Sequence, residues 1–234
     1  MTDVQRGVVL DAANLPGWVQ VPLSALLSAQ FAVPASIEND VNAAALAEAA
    51  CGAGTACHSA VYMTISTGVA AGIVVGGELV RGAHYCAGEI GNIIPDPAHL
   101  DRDWRPNGCL ERTAAGMGLA ESWRRLRGSN ATAEQVFAAA RRGDTTAGYL
   151  VQQAENYLAQ AAVAVCSVVD PERLIVGGSI GLNQGRVLSR IRAVLHSTLP
   201  CPPVVVPAAL SHGAPLMGAL LMAARAHSHG QDPD

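Results

Sequence analysis

Three polar residues stand at the start of an alanine-rich apolar run. The segment IENDVNAAALAEAA, residues 37–50, places Glu38, Asn39 and Asp40 just before the residues with helical character. An Asn or Asp at such a place caps a helix by accepting hydrogen bonds from its first N–H groups. A carboxylate there can equally take a proton from a substrate hydroxyl. The local sequence leaves both roles open for Asp40.

Three more motifs place polar side chains or glycines at turns. STG at residues 66–68 lies between two apolar runs, AGEIG holds Glu89 between glycines, and residues 177–178 are a Gly-Gly pair after the apolar run RLIV. Ligand sites of open α/β sheets lie at such strand ends. The N–H groups and hydroxyl of a turn such as STG can bind an anion, and a glycine pair allows another group to approach the backbone closely. Ordinary tight turns account for each motif equally well when it stands alone.

The first half of the chain predicts the elements that would position these motifs. VPLSALLSAQF after the turn-rich DAANLPGW predicts a short helix, PASI at residues 34–37 a strand, and the following run a helix to about Glu48. Two apolar runs joined by Gly-Gly predict two or three antiparallel strands over residues 61–81. Residues 84–107 form a long loop region, and loops of this length in a compact domain are usually functional or disordered.

The second half alternates helices with short strands. We expect helices over residues 109–127, in AEQVFAAAR, over residues 145–169 and in GRVLSRIRAVLHSTL, with a closing helix in APLMGALLMAARAH. RLIVGG reads as a strand that ends in a glycine turn, and PPVVVPAAL as another strand. This mixture predicts an α/β architecture.

Composition limits the classes of function. The chain has 234 residues, is 50% hydrophobic and carries a net charge of −4, so it can form one large domain or two lobes and lacks a surface suited to nucleic acid. It has neither an apolar run of about 20 residues nor a signal peptide, so we expect a cytoplasmic protein with no membrane contact. The six cysteines are scattered without a C-x-x-C pair, as is typical of buried apolar residues.

Taken together, the motifs resemble the ROK family of bacterial sugar kinases and sugar-responsive repressors. The matching stretches, in family order, are NLPGW, ENDVNAAALAE, STGVAAGIVVGGELVRGAHYCAGEIGN, GCLE, DPERLIVGGSIG and APLMGALLMA. The resemblance implies an α/β, actin-like (RNase-H-like) fold of two lobes with the first lobe incomplete. Residues 1–58 would be the remnant of the first lobe, with a closing helix at 213–228 packed on it, and residues 59–212 the second lobe.

The resemblance also implies roles for individual residues. Asp40 takes the place of the family's general base, and a partly buried carboxylate there would have a raised pKa. The family's sugar-contacting positions fall on Asn39, Asp40, Glu89, Asn92 and Glu111. The implied nucleotide positions are Ser66, Thr67, Gly68, Gly177 and Gly178, with ATP and Mg as cofactors. A small-molecule sugar is the expected ligand, and a homodimer is expected because unpaired strand edges associate.

Three departures from the family weaken the kinase interpretation. No D-x-G-x-T phosphate loop is found, and we expect that the sequence starts partway into the first lobe, as a fragment, the product of a truncated gene or a sequence with a misassigned start. The family's zinc module is a His followed by three Cys. Here Asn92 stands at the His position and only Cys109 of the three Cys remains, so we expect no zinc. Ala70 and Ala71 replace glycines after the STG turn, where an added Cβ would restrict positive φ and hinder nucleotide binding.

Three functions follow as alternatives. The first is a hexose or amino-hexose kinase with Asp40 as base, impaired in this truncated chain. The second is the sugar-sensing domain of a ROK-type repressor, or a non-catalytic relative that keeps the sugar cleft. The third is a decayed gene product that binds no ligand. The joint presence of END, AGEIG and GCLE favours a retained sugar site.

Overall fold

The computed structural model describes residues 2–12 and 15–229. Its main sheet has five strands in the order β6-β5-β4-β7-β8. Strands β4 (Ser59–Ile65), β5 (Val69–Val75) and β6 (Glu78–Leu79) are antiparallel neighbours, while β7 (Arg173–Gly177) and β8 (Val204–Pro207) run parallel to β4. The predicted antiparallel run and its Gly-Gly turn are therefore confirmed.

Nine helices accompany the strands in the described part of the chain. They are α1 (Leu23–Phe31), α2 (Asp40–Cys51), α3 (Cys109–Ala114), α4 (Gly116–Arg127), α5 (Ala133–Arg141), α6 (Thr145–Val169), α7 (Gly178–Asn183), α8 (Gly185–Thr198) and α9 (Ala214–His229). The predicted single helix over residues 109–127 is divided, because Ala115 adopts an extended conformation between α3 and α4. The glycine turn predicted after β7 opens directly into α7.

The two faces of the five-stranded sheet carry separate cores. Because side chains alternate along a strand, Val61, Met63 and Ile65 point to the face covered by α3, α4, α6 and α8. Ala60 and Tyr62 point to the opposite face, where α2 and the start of α9 pack. The end of β4 is therefore placed between two layers of helices.

Three short antiparallel strands near the beginning of the chain were not predicted. They are β1 (Thr2–Asp3), β2 (Val8–Asp11) and β3 (Val19–Val21), in the order β1-β2-β3. In this region the sequence predicted only a turn, which corresponds to the connection between β2 and β3. The NLPGW motif lies in this connection, and its Asn14 is outside the described residues.

The strand predicted at residues 34–37 is wrong. These residues are in no strand of the structure, and the segment enters α2 without a sheet neighbour in the part of the chain that the structure describes. Local apolar character favours an extended backbone, but a strand also needs a partner that completes its hydrogen-bond ladder.

Helix α1, as predicted, precedes this segment, and none of its residues is buried. The division into lobes after residue 58 stays a prediction.

Candidate functional site

A cavity of about 340 Å³ lies where α2 begins, β4 ends and the loop before α3 passes. This volume is within the range of about 300–1,000 Å³ that is typical of small-molecule sites. Of the ten predicted site residues, seven line it: Asn39, Asp40, Ser66, Thr67, Gly68, Glu89 and Glu111. Residues far apart in sequence thus meet in one cavity.

Asn39 and Asp40 divide the two roles that the sequence left open. Asn39 is the N-cap of α2, and its Oδ1 accepts hydrogen bonds from the N–H groups of Val41 and Asn42 at 2.8 and 3.2 Å. Asp40 is the first helical residue, and its exposed carboxylate borders the cavity. The helix N-terminus favours a negative charge at that position. Oδ1 of Asp40 also accepts a hydrogen bond from the Val41 N–H at 2.9 Å, so Asn39 is the main cap and Oδ2 of Asp40 is available for a ligand. Asp40 is exposed, not partly buried as expected.

Glu111 is the carboxylate that burial affects. It lies in the first turn of α3, and its Oε2 accepts a hydrogen bond from the N–H of Val69 at 3.1 Å. Burial raises the pKa of the Glu111 carboxyl, the Val69 N–H opposes that rise, and the negative charge of Glu89 adds to it. Glu89 is exposed on the cavity rim. The site therefore combines one partly buried acid with two exposed ones.

The STG turn is held by hydrogen bonds to its carbonyl groups and by one from the N–H of Ser66 to the carbonyl of Gly68 at 2.9 Å. The carbonyls of Ser66 and Thr67 accept hydrogen bonds from the N–H groups of Gly116 and Met117 at 2.8 and 3.0 Å. Within residues 2–12 and 15–229, the N–H groups of Thr67 and Gly68 have no hydrogen-bond acceptor. A Cβ on Gly68 would lie 2.3 Å from Oε2 of Glu111, so glycine is needed here for that carboxylate to approach. The turn offers two adjacent donors to an anion.

Gly177 and Gly178 lie next to this turn but do not line the cavity. The hydroxyl of Ser179 is 3.0 Å from that of Ser66, which joins the two turns. Gly178 has a φ of +79°, and an added Cβ would lie 2.4 Å from the carbonyl oxygen of Ile65. These glycines are therefore explained by packing against β4, and their predicted nucleotide role stays a prediction.

Asn92 is also outside the cavity. It ends a short 3-10 helix (Ile90–Asn92), its N–H donates to the carbonyl of Glu89 at 3.2 Å, and its side chain is exposed. A Cβ on Gly108 would lie 2.8 Å from its Oδ1. Asn92 thus lies against the residue that precedes Cys109, and its predicted sugar contact stays a prediction.

The segment between Asn92 and Cys109 is held by aromatic contacts. The Nε1–H of Trp104 donates to the carbonyl of His99 at 2.9 Å, and the two rings are in an edge arrangement. The hydroxyl of Tyr157 on α6 donates to Asp96 at 2.9 Å. The hydrogen bond from Tyr157 attaches the segment to α6.

Among the described residues, no group of three or more His, Cys, Asp or Glu is placed to hold a metal ion.

The reason given for Ala70 and Ala71 hindering nucleotide binding is wrong. Both residues are in strand β5, and neither has a positive φ. The N–H of Ala71 donates to the carbonyl of Gly88 at 2.8 Å, and Ala70 faces the cavity. Alanine fits an extended backbone without strain, so these positions place no conformational restriction on the turn.

Sequence reasoning missed several residues that line the cavity. Tyr62 and Thr64 on β4 are two of them, and Pro215 at the start of α9 is a third. Burial raises the pKa of the Tyr62 hydroxyl, and the nearby carboxylates of Glu48 and Asp40 act in the same direction. The alternation in VYMTIS places Tyr62, Thr64 and Ser66 on one face, which could have identified the first two. No local signal indicates Pro215.

Comparison with known proteins identifies the family. The ROK family profile matches residues 2–226. The chain belongs to the ROK family. The resemblance inferred from the motifs is thereby confirmed, and so is the α/β, actin-like fold class, since solved ROK family structures share the fold. Among the helices of the described residues, none is long and apolar enough to cross a membrane.

Curated relatives of this ROK protein include sugar kinases. It is 33% identical over 223 residues to the N-acetylmannosamine kinase of Escherichia coli, a match that covers 92% of the chain and 74% of the relative. It is 34% identical over 206 residues to the bifunctional enzyme NanE/NanK of Brucella melitensis, covering 87% of the chain. The chain spans only 38% of the length of that bifunctional relative.

Solved structures of the family superpose over nearly the whole chain. The ROK hexokinase of Thermus thermophilus has a TM-score of 0.86 at 31% identity and covers 97% of this chain and 77% of its own. The Streptomyces griseus ROK glucokinase, in complex with glucose and AMPPNP, has a TM-score of 0.79 at 29% identity, covering 96% and 78%. A ROK family transcriptional regulator, a homologue of the E. coli MLC protein, has a TM-score of 0.79 at 26% identity, covering 94% and 59%.

Proposed function

We propose that the chain is a sugar-kinase-type domain that binds a hexose or amino-hexose and transfers a phosphoryl group to one of its hydroxyls. The observation that carries this proposal is the single cavity that joins Asp40, Glu89 and Glu111 to the STG turn. Sugar hydroxyls both donate and accept hydrogen bonds, so carboxylates around a cavity can hold them in one orientation. The kinase names of the curated relatives and the sugar bound in the Streptomyces griseus structure support the same class of ligand.

In this proposal Asp40 is the general base and Glu111 a sugar ligand. Asp40 is exposed at the rim, so its carboxylate can reach within about 3 Å of a bound hydroxyl and take its proton as the oxygen attacks phosphorus. Glu111 is fixed by the Val69 N–H and accepts hydrogen bonds from the sugar. Positioning of this kind supplies most of the catalysis in phosphoryl transfer.

The free N–H groups of Thr67 and Gly68 fit the phosphates of a nucleotide, and we include ATP as the cofactor. When bound, ATP would supply the γ-phosphoryl group that is transferred, and ADP would be the leaving group. The Thr67 side chain is exposed beside these donors and can add a third hydrogen bond. Mg²⁺ is included as the companion of the ATP phosphates, which provide most of its ligands in kinase sites.

Calorimetry with glucose and N-acetylmannosamine, combined with an assay of ATP-dependent phosphorylation, tests the proposal. We expect hexose binding by the polypeptide of residues 1–234 and slow transfer, because its sequence contains no D-x-G-x-T phosphate loop. Asp40→Asn should abolish the transfer and leave hexose binding within about threefold, since the base acts mainly in the transition state. Absence of binding by any hexose would overturn the proposal, and transfer that survives Asp40→Asn would remove Asp40 as the base.

The second candidate is a sugar-sensing domain of a ROK-type regulator, or a non-catalytic relative. The similarity to the family's transcriptional regulator over 94% of the chain supports it. A sensor needs the sugar cavity but does not need the N–H groups that would bind the phosphates of a nucleotide. AMPPNP binding in the presence of a hexose, weakened by Thr67→Val, would favour the kinase, whereas hexose binding with no nucleotide binding would favour the sensor.

A further inference from the structure

Glu38 is a buried carboxylate next to the cavity, and the proposed reaction does not use it. Its side chain is only 4% exposed. One oxygen, Oε1, accepts hydrogen bonds from the N–H of Asn39 at 3.0 Å and from Nδ2 of Asn42 at 3.1 Å. The other, Oε2, accepts from Nε of Arg81 at 2.7 Å. Charge-assisted hydrogen bonds of this kind are short and strong.

The two residues of this ion pair belong to two different segments, one of which contributes Asp40 and the other Glu89 to the cavity lining. Glu38 holds the segment that continues into Asn39 and Asp40 at the start of α2. Arg81 follows β6 and begins the loop that ends at Glu89. The carbonyl of Arg81 accepts a hydrogen bond from the N–H of Ala87 at 3.1 Å, which closes this loop onto its own base.

Neither member of the pair lines the cavity. We propose that the Glu38–Arg81 ion pair is a clamp that fixes the segment of Asp40 relative to the loop of Glu89, and that both members are positioning residues for sugar binding. The inference rests on the proposed function, because the distance it sets matters only if both carboxylates face one ligand. A clamp predicts coupling: once either partner is lost, removing the second changes little, since the same interaction is already broken.

Four variants test the clamp: Glu38→Gln, Arg81→Met, the double variant, and Glu155→Gln as control. Glu155 on α6 forms an ion pair with Arg186 on α8 at 3.0 Å, and neither residue lines the cavity. The side chain of Glu155 is 8% exposed, so it is buried to a similar extent as that of Glu38. Hexose affinity is measured by calorimetry well below each variant's melting temperature. We expect each clamp variant to bind the hexose about tenfold or more weakly, the double variant to resemble the singles, and Glu155→Gln to lower only the melting temperature. A clamp variant that loses stability with unchanged affinity would overturn the inference.

Hydrogen exchange gives a readout that does not depend on the sugar. In Glu38→Gln and in Arg81→Met, amides of residues 36–42 and of residues 82–90 should both exchange faster than in the wild type, whereas Asp40→Asn should leave residues 82–90 unchanged. If the wild type binds no hexose, the proposed function fails, and the exchange result still decides whether the two segments are joined. Faster exchange confined to the mutated residue's own segment would contradict the clamp.

Discussion

The carboxylate of Glu48 on α2 accepts a hydrogen bond of 2.7 Å from the N–H of Leu210, which lies 162 residues further along the chain. Glu48 is fully buried, and its Oε2 also accepts from the N–H groups of Ala53 and Ala209 at 2.7 and 3.2 Å. A single side chain thus joins the end of α2 to the segment that leads into α9. These N–H groups surround the carboxylate with donors that replace its water shell.

Glu48→Gln should destabilise the protein strongly. The amide has only one acceptor oxygen, and its NH₂ group would face backbone N–H donors in a dry site. We expect a loss of about 3 kcal/mol in the free energy of unfolding, measured by urea denaturation. Glu121→Gln is the control, because Glu121 forms an ion pair with Arg112 in which both side chains are about one third exposed. This substitution should cost at most about 1 kcal/mol. Equal losses in the two variants would refute the assigned role of Glu48.

Stability measurements can separate the cap of α2 from the proposed base. Asn39→Ala removes the acceptor of two N–H groups and should cost about 1 kcal/mol. Asp40→Ala should cost less, since it loses the charge at the helix end and a hydrogen bond from the Val41 N–H, a donor that Asn39 still accepts. Thr132→Ala is a matched control, because Thr132 caps α5 far from the cavity. It should lower stability as Asn39→Ala does and leave hexose affinity unchanged. A larger stability loss for Asp40→Ala than for Asn39→Ala would show that the roles are reversed.

Gly68→Ala should weaken sugar binding with little loss of stability. The new Cβ would occupy the place of Oε2 of Glu111, and that flexible side chain would have to turn away. We expect at least about tenfold weaker hexose binding, because the displaced carboxylate loses its hydrogen bonds. In the control Gly148→Ala, the added Cβ meets nothing within 4 Å in α6, so stability should rise by about 0.5–1 kcal/mol at constant affinity. Unchanged affinity in Gly68→Ala would argue against Glu111 as a ligand.

Hexose affinity should depend on pH through Glu111. Burial raises the pKa of this carboxyl above its ordinary value of 4.5, so protonation begins at a higher pH than for an exposed glutamate. The protonated group accepts fewer hydrogen bonds, and affinity should fall as the pH decreases toward the raised pKa. Calorimetry between pH 5 and 8 measures this, and Glu111→Gln should remove this component of the pH dependence.

The same carboxyl has the opposite effect on stability. Its folded-state pKa is above the unfolded value, so its contribution is fully present below pH 4.5 and is lost as the pH rises through the folded pKa. Relative to Glu111→Gln, the wild type should therefore lose stability across that window while its hexose affinity increases. Parallel changes in stability and affinity would contradict the assignment to Glu111.

Local patterns predicted most of the helices and the central strands. Alternation in VYMTI, the Gly-Gly turn and the long apolar period of α6 depend on neighbours within a few residues, and the structure has all three. Residues 34–37 carry the same kind of apolar signal and are not a strand, because strand formation requires a hydrogen-bonding neighbour. The strands β1 to β3 are short, so their local sequence gives only a weak preference for an extended backbone. Their antiparallel pairing with one another forms the sheet.

The sequence by itself determined the family, the fold class and the types of residue that a sugar site requires, since these follow from motifs and their order. Only the tertiary structure decided which of those residues share a cavity. It brings Asp40, Glu89 and Glu111 together and leaves Asn92, Gly177 and Gly178 outside. It also assigned the helix cap to Asn39 and revealed Glu38 and Glu48 as buried carboxylates. Burial and long-range hydrogen bonds depend on how distant segments pack, and no local pattern records that packing.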